Sequence, residues 1–194
     1  TKGTFCYDEK MKKRAPKYFI GIDEVGRGPL AGPVAVGVVK LKVESLKVHI
    51  RWTQGLRDSK KLSPKAREAW FVKIEEAREE GWLEYVVAFV APHVIDEKGI
   101  VSSIRTALLR ALKRIEHNPK HARVLLDGGL RAPAYYENQE TIIKGDEKEI
   151  VIALASIVAK VLRDRRMVAL AKKFPQYCFE RHKGYGTHTH YAAI

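Results

Sequence analysis

Acids placed at the ends of apolar runs are the residues of this chain best suited to do chemistry. Residues 18–33 read Tyr-Phe-Ile-Gly-Ile-Asp-Glu-Val-Gly-Arg-Gly-Pro-Leu-Ala-Gly-Pro. The apolar run ends in Asp23 and Glu24, and the Gly26-Arg27-Gly28 turn follows at once. Carboxylates at the end of a buried strand are costly unless something cationic meets them. Two later apolar runs also stop at acids, Asp127 and Asp146. If these strands are neighbours, the four acids share one sheet edge, where ligands of α/β sheets collect. So many carboxylates require a counter-charge. Oxygen donors without a histidine or cysteine cage suit Mg²⁺ or Mn²⁺. Two such ions roughly 3.5–4 Å apart activate a water and steady a leaving oxygen, the chemistry of phosphodiester cleavage. Taken singly, Asp127-Gly128 and Gly145-Asp146 also suit turns, and Asp146 suits a helix cap. Asp164, flanked by Arg163, Arg165 and Arg166, reads as an ion-paired acid on a helix surface.

Candidate anion contacts surround these acids. The Gly26-Arg27-Gly28 turn offers backbone N–H groups and a guanidinium, which suit phosphate. Residues 26–31 loosely match a dinucleotide fingerprint, but Pro33 and the valine-rich stretch after it indicate a strand where that fold needs a helix. Asp58-Ser59-Lys60-Lys61 places hydroxyl and ammonium donors ahead of a helix start. Lys144 stands beside Asp146. Glu149, Ser156, Lys160 and Arg163 form a polar stripe at helical spacing, expected either to face a nucleic-acid backbone or to form a solvated helix edge. In Arg181-His182-Lys183-Gly184-Tyr185-Gly186-Thr187, Tyr185 sits between glycines and near Lys183, placed either to stack on a sugar or base or to pack onto the core. Cys178, His182, His188 and His190 match no common zinc spacing and are expected to face solvent.

The elements that must position these groups follow from patterning. Strands are predicted over residues 18–25, 32–42, 82–91, 123–126 and 140–144, the first two as an antiparallel pair. Helices are predicted from Ser63-Pro64 to about Glu80, over residues 100–116, over residues 147–173, and from near Thr187. Residues 43–62 read as a long polar connection, and residues 1–17 as a flexible basic arm before a single domain over 18–194. The pattern implies an α/β layer fold with a mixed sheet. The 194 residues carry a formal charge of +13, which favours a polyanionic partner, nucleic acid first. The two cysteines, the polar opening residues and the lack of a bilayer-length apolar run together predict a cytoplasmic protein with no membrane contact.

In order, these blocks resemble ribonuclease HII, the type 2 ribonuclease H. The matching residues are 21–33, 58–63, Leu126-Asp127-Gly128, Lys144-Gly145-Asp146, 155–161 with Arg163-Asp164-Arg165, and 182–187. The resemblance implies an RNase H-like fold with a five-stranded mixed sheet flanked by helices. It implies that Asp23, Glu24, Asp127 and Asp146 hold two Mg²⁺ or Mn²⁺ ions. In that scheme Asp23 bridges the pair, Asp146 lies by the water-activating ion, and Glu24 and Asp127 lie on the leaving-group side. Gly26, Arg27 and Gly28 would contact the ribose 2′-hydroxyl and Tyr185 the neighbouring sugar, with Ser59, Lys60, Lys144, Ser156, Lys160 and Lys183 as further substrate contacts. The implied reaction cuts the RNA strand of RNA/DNA hybrids and nicks 5′ of ribonucleotides embedded in duplex DNA, leaving 3′-hydroxyl and 5′-phosphate ends. The alternative is a catalytically silent hybrid-binding protein. A monomer is expected. The sequence departs from the family at Ala153-Leu154-Ala155, where smaller residues are usual, and it stops at Ile194 where relatives often continue in helices.

Overall fold

The computed structural model describes residues 15–53, 56, 62–115 and 118–194. Most of the basic arm and the Asp58-Ser59-Lys60-Lys61 motif, with the candidate contacts Ser59 and Lys60, lie outside the described residues. Five strands form one sheet in the order β3-β2-β1-β4-β5: β1 (Tyr18–Val25), β2 (Val34–Lys42), β3 (Leu83–Val90), β4 (Ala122–Asp127) and β5 (Gln139–Ile142). β1 pairs antiparallel with β2 and parallel with β4; β2 pairs antiparallel with β3, and β4 parallel with β5. The mixed sheet flanked by helices is therefore as expected, and the turn at residues 26–33 leads into a strand, as the rejection of a dinucleotide loop requires.

Helices α1 (Val43–Val48), α2 (Pro64–Glu79), α3 (Pro92–Lys98), α4 (Ile100–Arg114), α5 (Gly145–Lys148), α6 (Ile150–Lys173), α7 (Phe179–His182) and α8 (His188–Ala193) complete the fold. Ser63 caps α2, its hydroxyl accepting the Ala66 N–H at 3.2 Å, and Pro64 opens the first turn. Thr187 caps α8 in the same way through the His190 N–H. Three departures from the sequence expectation stand out. α1 occupies part of the predicted connection. α3 begins at Pro92 and ends at Gly99, whose φ of 77° only glycine adopts readily. The predicted helix over 147–173 is two helices, because Glu149 between α5 and α6 is extended at φ −120°, ψ 119°.

Alternation along the strands builds two cores. Phe19, Val39, Leu41 and Leu125 face α6 and the Trp70, Phe71, Ile74 and Ala77 side of α2. Ile20, Ile22, Val36, Val38, Val124 and Leu126 face the other way, onto Ile104, Ala107, Leu108, Ala111 and Leu112 of α4. Each fully buried Ile, Leu or Val contributes about 1.5–3 kcal/mol. The first half of α6 is buried almost all round, as its composition predicts. It lies so close to the sheet because β1 and β2 carry glycine beneath it. A Cβ on Gly21 would come within 2.1 Å of the Val151 backbone, and one on Gly37 within 2.5 Å of the Ala155 carbonyl oxygen.

Candidate active site

Register decides which acids meet. Ile22 of β1 pairs with Leu126 of parallel β4, so one step further on Asp23, two residues before the end of β1, stands beside Asp127, the last residue of β4. Both follow a residue that faces α4, so alternation turns both toward α6. Asp127 Oδ1 accepts the Gly145 N–H at 2.7 Å, which brings the start of α5 and its Asp146 alongside β4. Asp23, Asp127 and Asp146 are 3%, 8% and 1% exposed, a degree of burial that carboxylates rarely reach unless they are paired. Glu24 follows Asp23 directly in β1. Its N–H donates to Asp23 Oδ1 at 2.8 Å, and its carboxylate lies 3.8 Å from the Arg27 guanidinium. Among the described residues, no group of three or more His, Cys, Asp or Glu side chains stands preset to hold a metal ion. The donor set itself is carboxylate oxygen throughout, which fits a hard divalent cation and no softer metal.

A second cluster forms around the glycine turn. Gly28 faces Tyr185: a Cβ added to it would lie 4.0 Å from the ring. The Lys160 ammonium lies 5.4 Å from the Tyr185 ring centroid and 2.8 Å from Asp164. Tyr185 is 42% exposed, so it is not a core aromatic. Asp164 is thus an ion-paired helix acid, with Lys160 as its salt-bridge partner. Ser156 sits one helical turn before Lys160 and is half-buried. Lys183 takes a left-handed backbone, and its ammonium bonds the Glu180 carbonyl. Lys144, also left-handed, precedes α5 and is exposed.

The expected polar stripe does not hold as one surface. Arg163 is fully buried and faces inward. Its Nε donates to the Pro33 carbonyl at 2.9 Å, Nη1 to the Lys183 carbonyl at 3.0 Å, and Nη2 to the Ala31 carbonyl at 3.3 Å. Burial lowers its pKa from the ordinary arginine value, opposed by Tyr185 and Asp164. The signal was present in the sequence: Ala159, Arg163 and Met167 recur every four residues, and all three are buried. Two histidines likewise differ from the expectation of solvent exposure. His182 and His190 are 9% and 2% exposed and stack with ring centroids 4.5 Å apart. His182 Nδ1 accepts the Gly184 N–H, so its Nε2 carries the proton that meets the Tyr177 carbonyl at 2.8 Å. His190 Nδ1 lies 2.9 Å from the Tyr185 carbonyl. Both rings brace the Tyr185 loop from behind.

Glu149, at the break between α5 and α6, has its pKa raised, first by burial; Arg123 opposes the shift and Glu140 adds to it. The folded state then binds this proton more tightly than the unfolded chain. Stability from this group is complete below the ordinary carboxylate range and is lost as pH rises through the raised value. Glu149→Gln should therefore raise Tm at pH 7.5, on the order of 2 °C, with the gain vanishing near pH 4. Thermal melts across that range check it, and a gain that grows toward acid would contradict the sign.

A five-stranded mixed sheet in this order, with buried aspartates on two adjacent parallel strands, places the chain in the RNase H-like class of folds. The ribonuclease HII family model matches residues 20–194. A ribonuclease HII from Bacillus cytotoxicus is 43% identical over 188 residues, covering 97% of this chain and 67% of that protein. One from Caldicellulosiruptor bescii is 42% identical over 186 residues, covering 96% and 84%. The crystal structure of ribonuclease H2 from Pyrococcus horikoshii OT3 superposes with a TM-score of 0.69 at 27% identity, covering 88% of this chain and 82% of that one. RNase HII in its PCNA complex from Archaeoglobus fulgidus gives 0.67 at 29%, covering 90% and 84%. The chain belongs to the ribonuclease HII family. It is thus an endoribonuclease of the ribonuclease H type, of a family that depends on divalent metal and acts on RNA paired with DNA.

Proposed function

We propose that this chain hydrolyses the RNA strand of RNA/DNA hybrids and nicks 5′ of single ribonucleotides in duplex DNA by a two-metal-ion reaction. The observation that carries the reading is the position of Asp23 and Asp127 one residue past the Ile22–Leu126 pair of two adjacent parallel strands, both buried, with Asp146 next to the Gly145 whose N–H donates to Asp127. Asp23, Glu24, Asp127 and Asp146 would hold the ions, Mg²⁺ or Mn²⁺. Two ions held there would supply an activated water and a stabilised 3′-oxygen leaving group. The protein's own groups orient the substrate. The backbone of Gly26-Arg27-Gly28 meets the ribose 2′-hydroxyl, which is both donor and acceptor and distinguishes RNA from DNA. Tyr185, exposed beside Gly28, packs on the sugar next to the scissile phosphate. Lys144, Ser156, Lys160 and Lys183, with Ser59 and Lys60, steady the backbone phosphates of the duplex.

The test is a duplex DNA carrying one embedded ribonucleotide, incubated with protein and Mg²⁺ or Mn²⁺, and then with EDTA. A nick 5′ of the ribonucleotide, leaving 3′-hydroxyl and 5′-phosphate ends, should appear with either metal and vanish with chelator. Binding of the duplex without any metal-dependent nick would replace this reading with that of a silent hybrid-binding protein.

A further inference from the structure

We propose that Arg163 is a positioning residue that locks the glycine turn and the Tyr185 loop into one reader of the RNA-to-DNA junction. The inference rests on the substrate roles just proposed for those two segments. The turn at residues 26–33 and the loop at residues 183–186 are separated by about 150 positions in sequence, yet one guanidinium holds both. Its three bonds go to carbonyl oxygens, two from the turn and one from the loop. The segments also touch directly: the Leu30 N–H donates to the Gly184 carbonyl at 2.9 Å, and the Ala31 N–H to the same oxygen at 3.3 Å.

Close packing leaves this joint little slack. A Cβ on Gly26 would lie 2.5 Å from Arg163 Nε, and one on Gly184 would lie 2.2 Å from the Ala31 carbonyl oxygen. Arg163 springs from the middle of α6, which is pressed against the sheet and also carries Lys160 beside the Tyr185 ring. Ribose recognition by the turn and sugar packing by Tyr185 must occur at a fixed spacing along the strand. A planar fork with donors in fixed directions can set that spacing. A lysine ammonium, a compact charge on a flexible stem, cannot span the same three carbonyls. Burying a charge solely to bind main-chain carbonyls is expensive, which is hard to explain by stability alone.

The test uses Arg163→Lys in the full chain. Hydrogen exchange at the Leu30 amide should accelerate at least about tenfold, while amides of α4 and the central sheet stay at wild-type rates. The kcat/KM for a duplex with one ribonucleotide should fall by about 10²-fold, the cost of misplacing a substrate-orienting group. Combined with Tyr185→Ala, the loss should be no larger than for Tyr185→Ala alone. Unchanged exchange at Leu30, or losses that multiply in the double variant, would overturn the proposal. If Arg163→Lys does not fold, Gly184→Ala separates the same two segments without touching the guanidinium and should reproduce both effects; normal activity and exchange in that variant also overturn it. Wild-type protein that fails to nick refutes the nuclease reading instead, while exchange still decides the coupling.

Discussion

Asp127→Asn is expected to lower the nicking rate about a thousandfold, the scale on which losing one preorganised charge-stabilising group acts, with folding and duplex binding intact. The substitution is nearly isosteric. The asparagine oxygen can still accept the Gly145 N–H that now meets Oδ1 at 2.7 Å, so the link between β4 and α5 survives. One negative charge is lost beside the strand that carries buried Asp23, so the change leaves no new unpaired charge. Tm should therefore stay level or rise, and affinity for a ribonucleotide-containing duplex in chelator should change less than threefold or so, because phosphate contacts dominate it. Single-turnover cleavage, thermal melting and a binding titration separate the effects. Wild-type turnover would remove Asp127 from the site, and parallel loss of Tm and activity would make it a structural residue.

The second large effect concerns a residue with no side chain. Gly21→Ala should cost about 3 kcal/mol or more and lower Tm by about 10 °C. The added methyl would meet the carbonyl carbon and oxygen of Val151 at 2.1 Å and the Ile152 nitrogen at 2.6 Å. Those atoms are backbone, so the clash is relieved only by lifting α6 off the sheet. Gly129→Ala serves as the control: its Cβ would meet nothing within 4 Å, and the change should stay within about 0.5 kcal/mol. Equal melting temperatures for the two variants would mean that α6 rides higher on the sheet than described.

The strands, and the buried carboxylates Asp23 and Asp127 on two neighbouring ones, were legible because they rest on strong local signals: valine-rich runs, punctuating Gly and Pro, and acids in apolar company. α3 was missed although Pro92 at a first helical turn was visible. Its seven residues bury no side chain fully and so lack an apolar stripe. The break at Glu149 was illegible because helix-forming residues continue across it. Arg163 defaults to solvent as a charged residue on a helix, although its place four residues after Ala159 and four before Met167 sets it on a buried line of α6. His182 and His190 were misplaced because their partners are main-chain oxygens and one amide that no residue pattern announces. Sequence thus marked the groups that carry charge, whereas the joints that hold those groups are tertiary.

The bond from Arg163 to Pro33 spans 130 residues. During synthesis, β1, β2 and the glycine turn leave the ribosome long before the helix that fastens them. At roughly 5–20 residues per second, the first two acids exist without their clamp for on the order of ten seconds. A half-made chain therefore carries carboxylates but no assembled blade, and cutting power waits until α6 and the loop at residues 183–186 have been made.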